Sequence, residues 1–317
     1  MLNLATFNIF WYPNHVVAMN ERDAQDEQRI AHVLANLAAH AMVFQEIVSL
    51  ERLQLLLEQA GTNLRLTSPE GSWLASDSGG SLKIACAYDP DVLDLVAHGM
   101  LEDPDPDRKF DYRRNPYALH LRHRDTGWEF TIVGLHLKSL VPWSSIPDDP
   151  RRKEVEYLAE WLAAEPDAGS AHFGAPPTSD VLVMGDFNPI LTNPILDDLR
   201  FGAWHWPDPV VVASLDEMEP APTLDDANER WTTFYDEVVI DHVFATAGVA
   251  ARLVGDPLIY AFDLDPAMDE DPLPEGHWLR RKTAYWAKPL GSENHQIVAN
   301  LYRISDHRPL RVTLDPG

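Results

Sequence analysis

Short apolar runs that end on a carboxylate, an amide or an imidazole recur from one end of this chain to the other. Leu2 to Asn8 alternates in the manner of a strand and closes on Asn8. Ala41 to Glu46 is apolar until Gln45 and Glu46, and Trp128 to His136 closes on His136. Val181-Leu182-Val183-Met184, apolar throughout as a central strand is, runs into Gly185-Asp186-Phe187-Asn188-Pro189, where the proline ends it. Val238 to Phe244 carries Asp241, and Asp306 with His307 precedes Pro309 to Leu314. Strands are also predicted over 81–88, 117–122 and 251–259. Between them lie helical periodicities. Gln25 to Ala39 sets Ile30, Val33, Leu34, Leu37 and Ala38 on one face, Ser49 caps a helix that stops at Gly61, and Arg151 to Glu165 lines up Val155, Leu158, Ala159 and Leu162. Asn193-Pro194 opens a further short helix. Strands and helices mixed over the whole length predict an α/β fold, with no linker or repeat to divide it. Long loops are expected at 101–111, 140–150, 168–179 and 263–294.

Composition removes several classes. Ten Trp, nine Tyr and eleven Phe within 45% apolar residues supply a large core and exclude a disordered tail. Cys86 is the only cysteine, so there is no intramolecular disulfide framework and no multi-cysteine zinc site. Twenty-five Lys and Arg against 50 Asp and Glu give a net charge of −25, which repels polyanions and disfavours duplex binding through a broad basic face. It leaves room for an enzyme that handles one phosphoester at a time beside a bound cation. No apolar run reaches the roughly 20 residues of a membrane span, and the first residues lack the basic region and cleavage site of a leader. A soluble protein is expected, cytoplasmic by its lone thiol, or secreted or periplasmic if a leader has been removed.

Polar groups gathered at one rim of a sheet are where α/β proteins place sites. The groups found here suit metal-assisted attack on a phosphate. Glu46 and an aspartate are hard oxygen ligands for Mg²⁺, Gly185 lets backbone approach a ligand, and Asn188 can donate to a phosphoryl oxygen. His307 can act as a base or as a cation, with Asp241 fixing its tautomer.

The series Phe7-Asn8, Phe44-Gln45-Glu46, His136-Leu137-Lys138-Ser139, Gly185-Asp186-Phe187-Asn188, Ile240-Asp241-His242 and Ser305-Asp306-His307 resembles the endonuclease/exonuclease/phosphatase superfamily, in the family's order and over nearly the whole chain. The resemblance implies one catalytic domain over 1–317, a four-layer sandwich of two mostly antiparallel sheets face to face and flanked by helices, with an insertion over 263–296. It implies that Glu46 binds the metal with Asn8 close by and Asp306 as a second carboxylate. It also implies that His307, paired with Asp241, is the base or the phosphate-polarising imidazole. Asp186 and Asn188 correspond to the residues that orient the nucleophile and hold the phosphoryl oxygens. His136 and Arg114 resemble a histidine and an arginine of the deoxyribonuclease I-like branch.

Other signals are weaker. Asp263 to Asp271 has Met268 and Pro274 where a calcium loop needs Gly and Glu, and Gly169 to Gly174 lacks the Lys-Ser/Thr of a phosphate loop. The one basic, aromatic-rich segment, His277 to Lys288, offers Arg280, Arg281 and Trp286 for substrate choice. The expectation is a Mg²⁺- or Mn²⁺-dependent phosphodiesterase cleaving P–O bonds by water attack, foremost a deoxyribonuclease-like nuclease acting on nucleic acid. Its rivals are a phospholipid or sphingomyelin phosphodiesterase or an inositol-phosphate phosphatase on the same scaffold, and a non-catalytic scaffold.

Overall fold

The computed structural model describes residues 1–12, 22–66, 82–101, 115–137, 150–167, 173–188, 241–255, 257–260, 304–305 and 307–317. The strands are β1 (Leu2–Tyr12), β2 (Ala41–Ile47), β3 (Lys83–Tyr88), β4 (Leu93–Met100), β5 (Tyr117–His123), β6 (Glu129–His136), β7 (Val181–Asp186), β8 (Asp241–Ala245), β9 (Leu258–Ile259) and β10 (Leu310–Leu314). The helices delimited among the described residues are α1 (Ala24–Leu37), α2 (Leu50–Gln59), α3 (Pro150–Ala163) and the single turn α4 (Ala247–Ala250).

The strands form two five-stranded sheets, ordered β3-β2-β1-β10-β9 and β4-β5-β6-β7-β8. Only β1 with β2 and β6 with β7 run parallel, so both sheets are mostly antiparallel, as expected. Alternation assigns the faces. Leu2 and Leu4 of β1, Ala41 and Val43 of β2, Phe130 and Ile132 of β6, Leu182 and Met184 of β7, and Val243 and Ala245 of β8 meet in a core between the sheets. The opposite face of the first sheet, with Phe7, Ile9, Met42 and Phe44, packs on Ile30, Val33, Leu34 and Leu37 of α1 and Leu53, Leu56 and Leu57 of α2. On the second sheet the outer residues Val133, Leu135, Val181 and Val183 pack on Val155, Leu158 and Trp161 of α3. Four layers result. Each fully buried Leu or Phe contributes roughly 1.5–3 kcal/mol, so three contiguous cores hold the sheets rigidly.

The helix ends follow their sequence signals. The Asp23 carboxylate accepts from the backbone N–H groups of Gln25 and Asp26, and the Ser49 hydroxyl from that of Arg52. The sheets approach closely at Gly134, where a Cβ would stand 2.8 Å from Val43 Cγ1.

Two sequence expectations need correction. Leu93–Met100, passed over as a strand, is β4; most of its side chains are only half-buried, so it lacks the apolar signature of the central strands. Ala251 to Ile259 is not one strand, because α4 and a turn precede a bridge at Leu253 to Leu314 and the two-residue β9. The helix at 193–194 and the insertion at 263–296 lie outside the described residues, as do most of the expected loops. Among the described residues no helix is long and apolar enough to cross a membrane.

Candidate active site

The inward face of four strands ends on a polar residue at the same rim. By the alternation above, Asn8 follows Leu4 and Thr6 on β1, His136 follows Ile132 and Gly134 on β6, and Asp186 follows Leu182 and Met184 on β7. Asp241 precedes Val243 on β8. Register aligns three of them across the second sheet, with His136 opposite Asp186 and Asp186 opposite Asp241. Asn8 belongs to the first sheet, and its Nδ2 donates to Asp186 Oδ2 across the interface at 3.1 Å. All four are buried.

Glu46 reaches this rim by breaking the alternation. Ala41 and Val43 point inward and Met42 and Phe44 outward, so an undisturbed strand would turn Glu46 toward α1 and α2. Instead Glu46 takes φ +62°, the β2–β3 register shifts between Phe44 and Ile47, and Ile47 joins the outer core. The carboxylate then lies with Oε1 3.5 Å from Asn8 Nδ2 and 3.8 Å from His136 Nε2. A left-handed conformation costs a non-glycine residue roughly 1–2 kcal/mol, and here it aims a carboxylate into the site. Gln45, left facing inward, donates to Thr6 Oγ1 at 2.9 Å. Gly185 is required at its place: a Cβ there would sit 2.0 Å from Leu135 O and 3.0 Å from Gln45 Nε2, at φ +147°.

Asp186 is the hub. Its Oδ1 accepts from Asn188 N–H at 2.8 Å, an Asx turn that Asn188 closes at φ +62°. Its Oδ2 accepts from Asn8 and lies 3.5 Å from His136 Nε2 and 3.9 Å from His307 Nε2. Burial, reinforced by the Asp241 and Glu46 carboxylates and opposed by His307 and the Asn188 N–H, pushes the Asp186 carboxyl up to about 7. One amide hydrogen of Asn188 goes to Leu137 O at 2.8 Å, so this side chain ties β7 to the end of β6 as well as facing the site.

His307 follows a short segment that also contains Ser305. Its Nδ1 is 2.7 Å from Asp241 Oδ2. A carboxylate accepts, so the Asp241 contact assigns a proton to Nδ1 and leaves Nε2 turned to the centre, 3.5 Å from Asn8 Nδ2.

Seven of the residues picked from the sequence thus converge: Asn8, Glu46, His136, Asp186, Asn188, Asp241 and His307. Arg114, Asp306, Arg280, Arg281 and Trp286 lie outside the described residues. Sequence reasoning gave no role to Gln45 or Ser305, although both stand inside quoted motifs; their signal was a polar residue at an inward or fully buried position.

Glu46 and Asp186 bring carboxylate oxygens to the same amide nitrogen of Asn8, and the burial and neighbouring carboxylates that lift Asp186 oppose a negative charge that a cation would offset. Among the described residues no three His, Cys, Asp or Glu side chains are grouped closely enough to enclose an ion by themselves. Mg²⁺ binds through one or two carboxylates and keeps several waters, and Glu46 and Asp186 are two such carboxylates. The residues fit.

No family model and no curated protein matches the chain. Solved structures do. It is similar to a mannosyl-6-phosphatase from Bacteroides thetaiotaomicron, at 16% identity over 99% of this chain and 100% of that one, TM-score 0.54. An endonuclease/exonuclease/phosphatase from Bacteroides vulgatus is 15% identical over 99% of each chain, TM-score 0.54. The human Nocturnin catalytic domain is 15% identical over 99% of this chain and 94% of that one, TM-score 0.54. Identities this low speak for architecture, and the architecture agrees with the motifs. The chain shares its fold with these solved structures.

Proposed function

We propose that this protein is a divalent-metal-dependent phosphoesterase that hydrolyses a P–O bond by water attack, and that its substrate is a phosphodiester of nucleic acid. The observation that carries the reading is the hydrogen-bonded line Asp241–His307···Asn8–Asp186, which joins both sheets at one rim. Such a line brings an imidazole nitrogen, an amide donor and carboxylates together, which supports the reading.

In this reading His307 Nε2 takes the proton of the attacking water, and Asp241 stabilises the imidazolium that forms. Both Asp186 oxygens accept hydrogen bonds, so this carboxyl holds Asn8 and Asn188 in place. His136 and the remaining amide hydrogen of Asn188 face the phosphoryl oxygens as charge develops on them, while Asn8 spans Asp186 and His307. Glu46 and Asp186 would hold the metal, with Asp306 as the further ligand implied by its motif. When bound, that ion supplies Lewis-acid stabilisation of the phosphoryl group. Arg114 is proposed as a further phosphate contact, and Arg280, Arg281 and Trp286 as determinants of substrate choice. Residues 1–317 act as one catalytic domain.

A second reading keeps the machinery and replaces nucleic acid by a small or headgroup phosphoester. The charge of −25 favours it, because such a substrate needs no extended basic track. One panel separates the two: plasmid DNA, RNA, bis-p-nitrophenyl phosphate, sphingomyelin, inositol phosphates and mannose 6-phosphate, each with Mg²⁺ and with EDTA. Nicking that weakens steeply with salt is expected. Phosphate or headgroup release without nicking selects the second reading. Silence on every substrate refutes both and leaves a scaffold.

A further inference from the structure

We infer that Ser305 and Arg22 are positioning residues that set the His307 imidazole against β1, an inference that rests on the reading of His307 given above. The antiparallel pairing of β1 with β10 ends at Thr6 opposite Leu310. Pro309 comes next and has no N–H to extend the ladder, and its carbonyl is taken by Tyr260 N–H at 3.0 Å. The chain before it meets the end of β1 beyond the last rung of that ladder, with His307 standing in an isolated bridge, at the place where Asn8 and His307 must be held in register.

Side chains do the holding. The Ser305 hydroxyl, fully buried, donates its single hydrogen to Asn8 O and accepts the backbone N–H of His307 at 3.0 Å. One oxygen thus links the backbone of the two residues whose side chains, Asn8 Nδ2 and His307 Nε2, meet in the site. A turn earlier, Arg22 sends Nη2 to Ile9 O at 3.2 Å and to Ile304 O at 3.1 Å. It is also almost completely buried and stacks its guanidinium on Tyr12, 5.8 Å from the ring centre. The two bridges together bind 304–307 to residues 8 and 9 of β1. Asp241 fixes only the far nitrogen of the imidazole, from the other sheet. Without the Ser305 bridge the ring can still pair with Asp241 but loses its fixed distance to Asn8 and Asp186.

The test is a double-mutant cycle on the panel substrate cleaved fastest, with bis-p-nitrophenyl phosphate and Mg²⁺ as the first choice. Ser305→Ala is expected to lower kcat about 10- to 100-fold with KM changed less than about threefold, the loss that a misplacement of about 1 Å produces. In a His307→Ala background the same substitution should change kcat less than about threefold, because nothing remains to be positioned. An equal loss in both backgrounds, or full turnover in folded Ser305→Ala, overturns the inference while leaving the reading of His307 intact. Wild-type turnover in folded His307→Ala overturns that reading and this inference with it. If Ser305→Ala does not fold, Arg22→Met enters the same bridge from the other side and is judged by the same cycle.

Discussion

Replacing Asp186 by Asn should stabilise this protein at alkaline pH, by an amount that grows with pH, while abolishing turnover. The folded Asp186 carboxyl is lifted to about 7 by burial and by the neighbouring carboxylates, from an ordinary value of 3.8. Between those values the unfolded chain has released its proton and the folded chain still holds one, so stability falls as pH rises through the window and stays lowered above it. The full displacement, about three pK units, corresponds to roughly 4 kcal/mol. About half of it, roughly 2 kcal/mol, develops between pH 5.5 and pH 8.5. Asparagine does not ionise and escapes this loss. It also leaves one of the two donors, Asn8 Nδ2 or Asn188 N–H, facing an NH₂ group, at a cost of about 1–3 kcal/mol. That cost is independent of pH and cancels when the two conditions are compared. The measurement is urea unfolding of both proteins at pH 5.5 and 8.5 in EDTA, so that no bound cation resets the carboxyl. The variant should gain about 2 kcal/mol on wild type between the two conditions. A stability difference that is the same at both pH values, or that moves the other way, would show that the carboxyl is not held protonated by its surroundings.

Other outcomes follow from the same geometry. Glu46→Gln removes the carboxylate charge but not the shape, and kcat should fall roughly 10²-fold or more with little change in Tm, read by steady-state kinetics beside a thermal melt. Gly185→Ala drives a methyl to 2.0 Å from Leu135 O at a backbone angle foreign to alanine. A loss of about 3 kcal/mol or more is expected in a denaturant titration, and a fully stable Gly185→Ala would disprove the close approach of β6 and β7. Asp241→Asn should leave the fold intact and depress kcat about 10²-fold or more, because an amide no longer dictates which nitrogen of His307 carries the proton; unaltered kinetics would remove Asp241 from the site.

How far the sequence carried this protein can be traced residue by residue. The central strands and the three long helices were legible because β1 alternates, β2 and β7 are short continuous apolar runs closed by a polar residue, and Ile30, Val33, Leu34 and Leu37 recur along one helical face. Asn8, His136, Asp186 and Asp241 were legible for a related reason, since a polar residue on the inward face of an apolar strand is out of place unless it ends the core. β4 and the stretch 251–259 were not legible. The first is half-exposed and the second is built from a turn and a bridge, and neither leaves a periodic trace.

The amino-acid sequence alone settled which groups could do chemistry and that they stand at strand ends, because alternation and proline act locally. It could not settle which of those ends meet. That depends on the packing of one sheet on the other, where Asn8 reaches Asp186 over a sequence separation of 178 and His307 reaches Asp241 over one of 66. The turned-back φ of Glu46 is equally beyond local rules, since a glutamate accepts a left-handed backbone only when the surrounding structure leaves it no other place. Chain chemistry chose the residues; the face-to-face closure of two sheets made them a site.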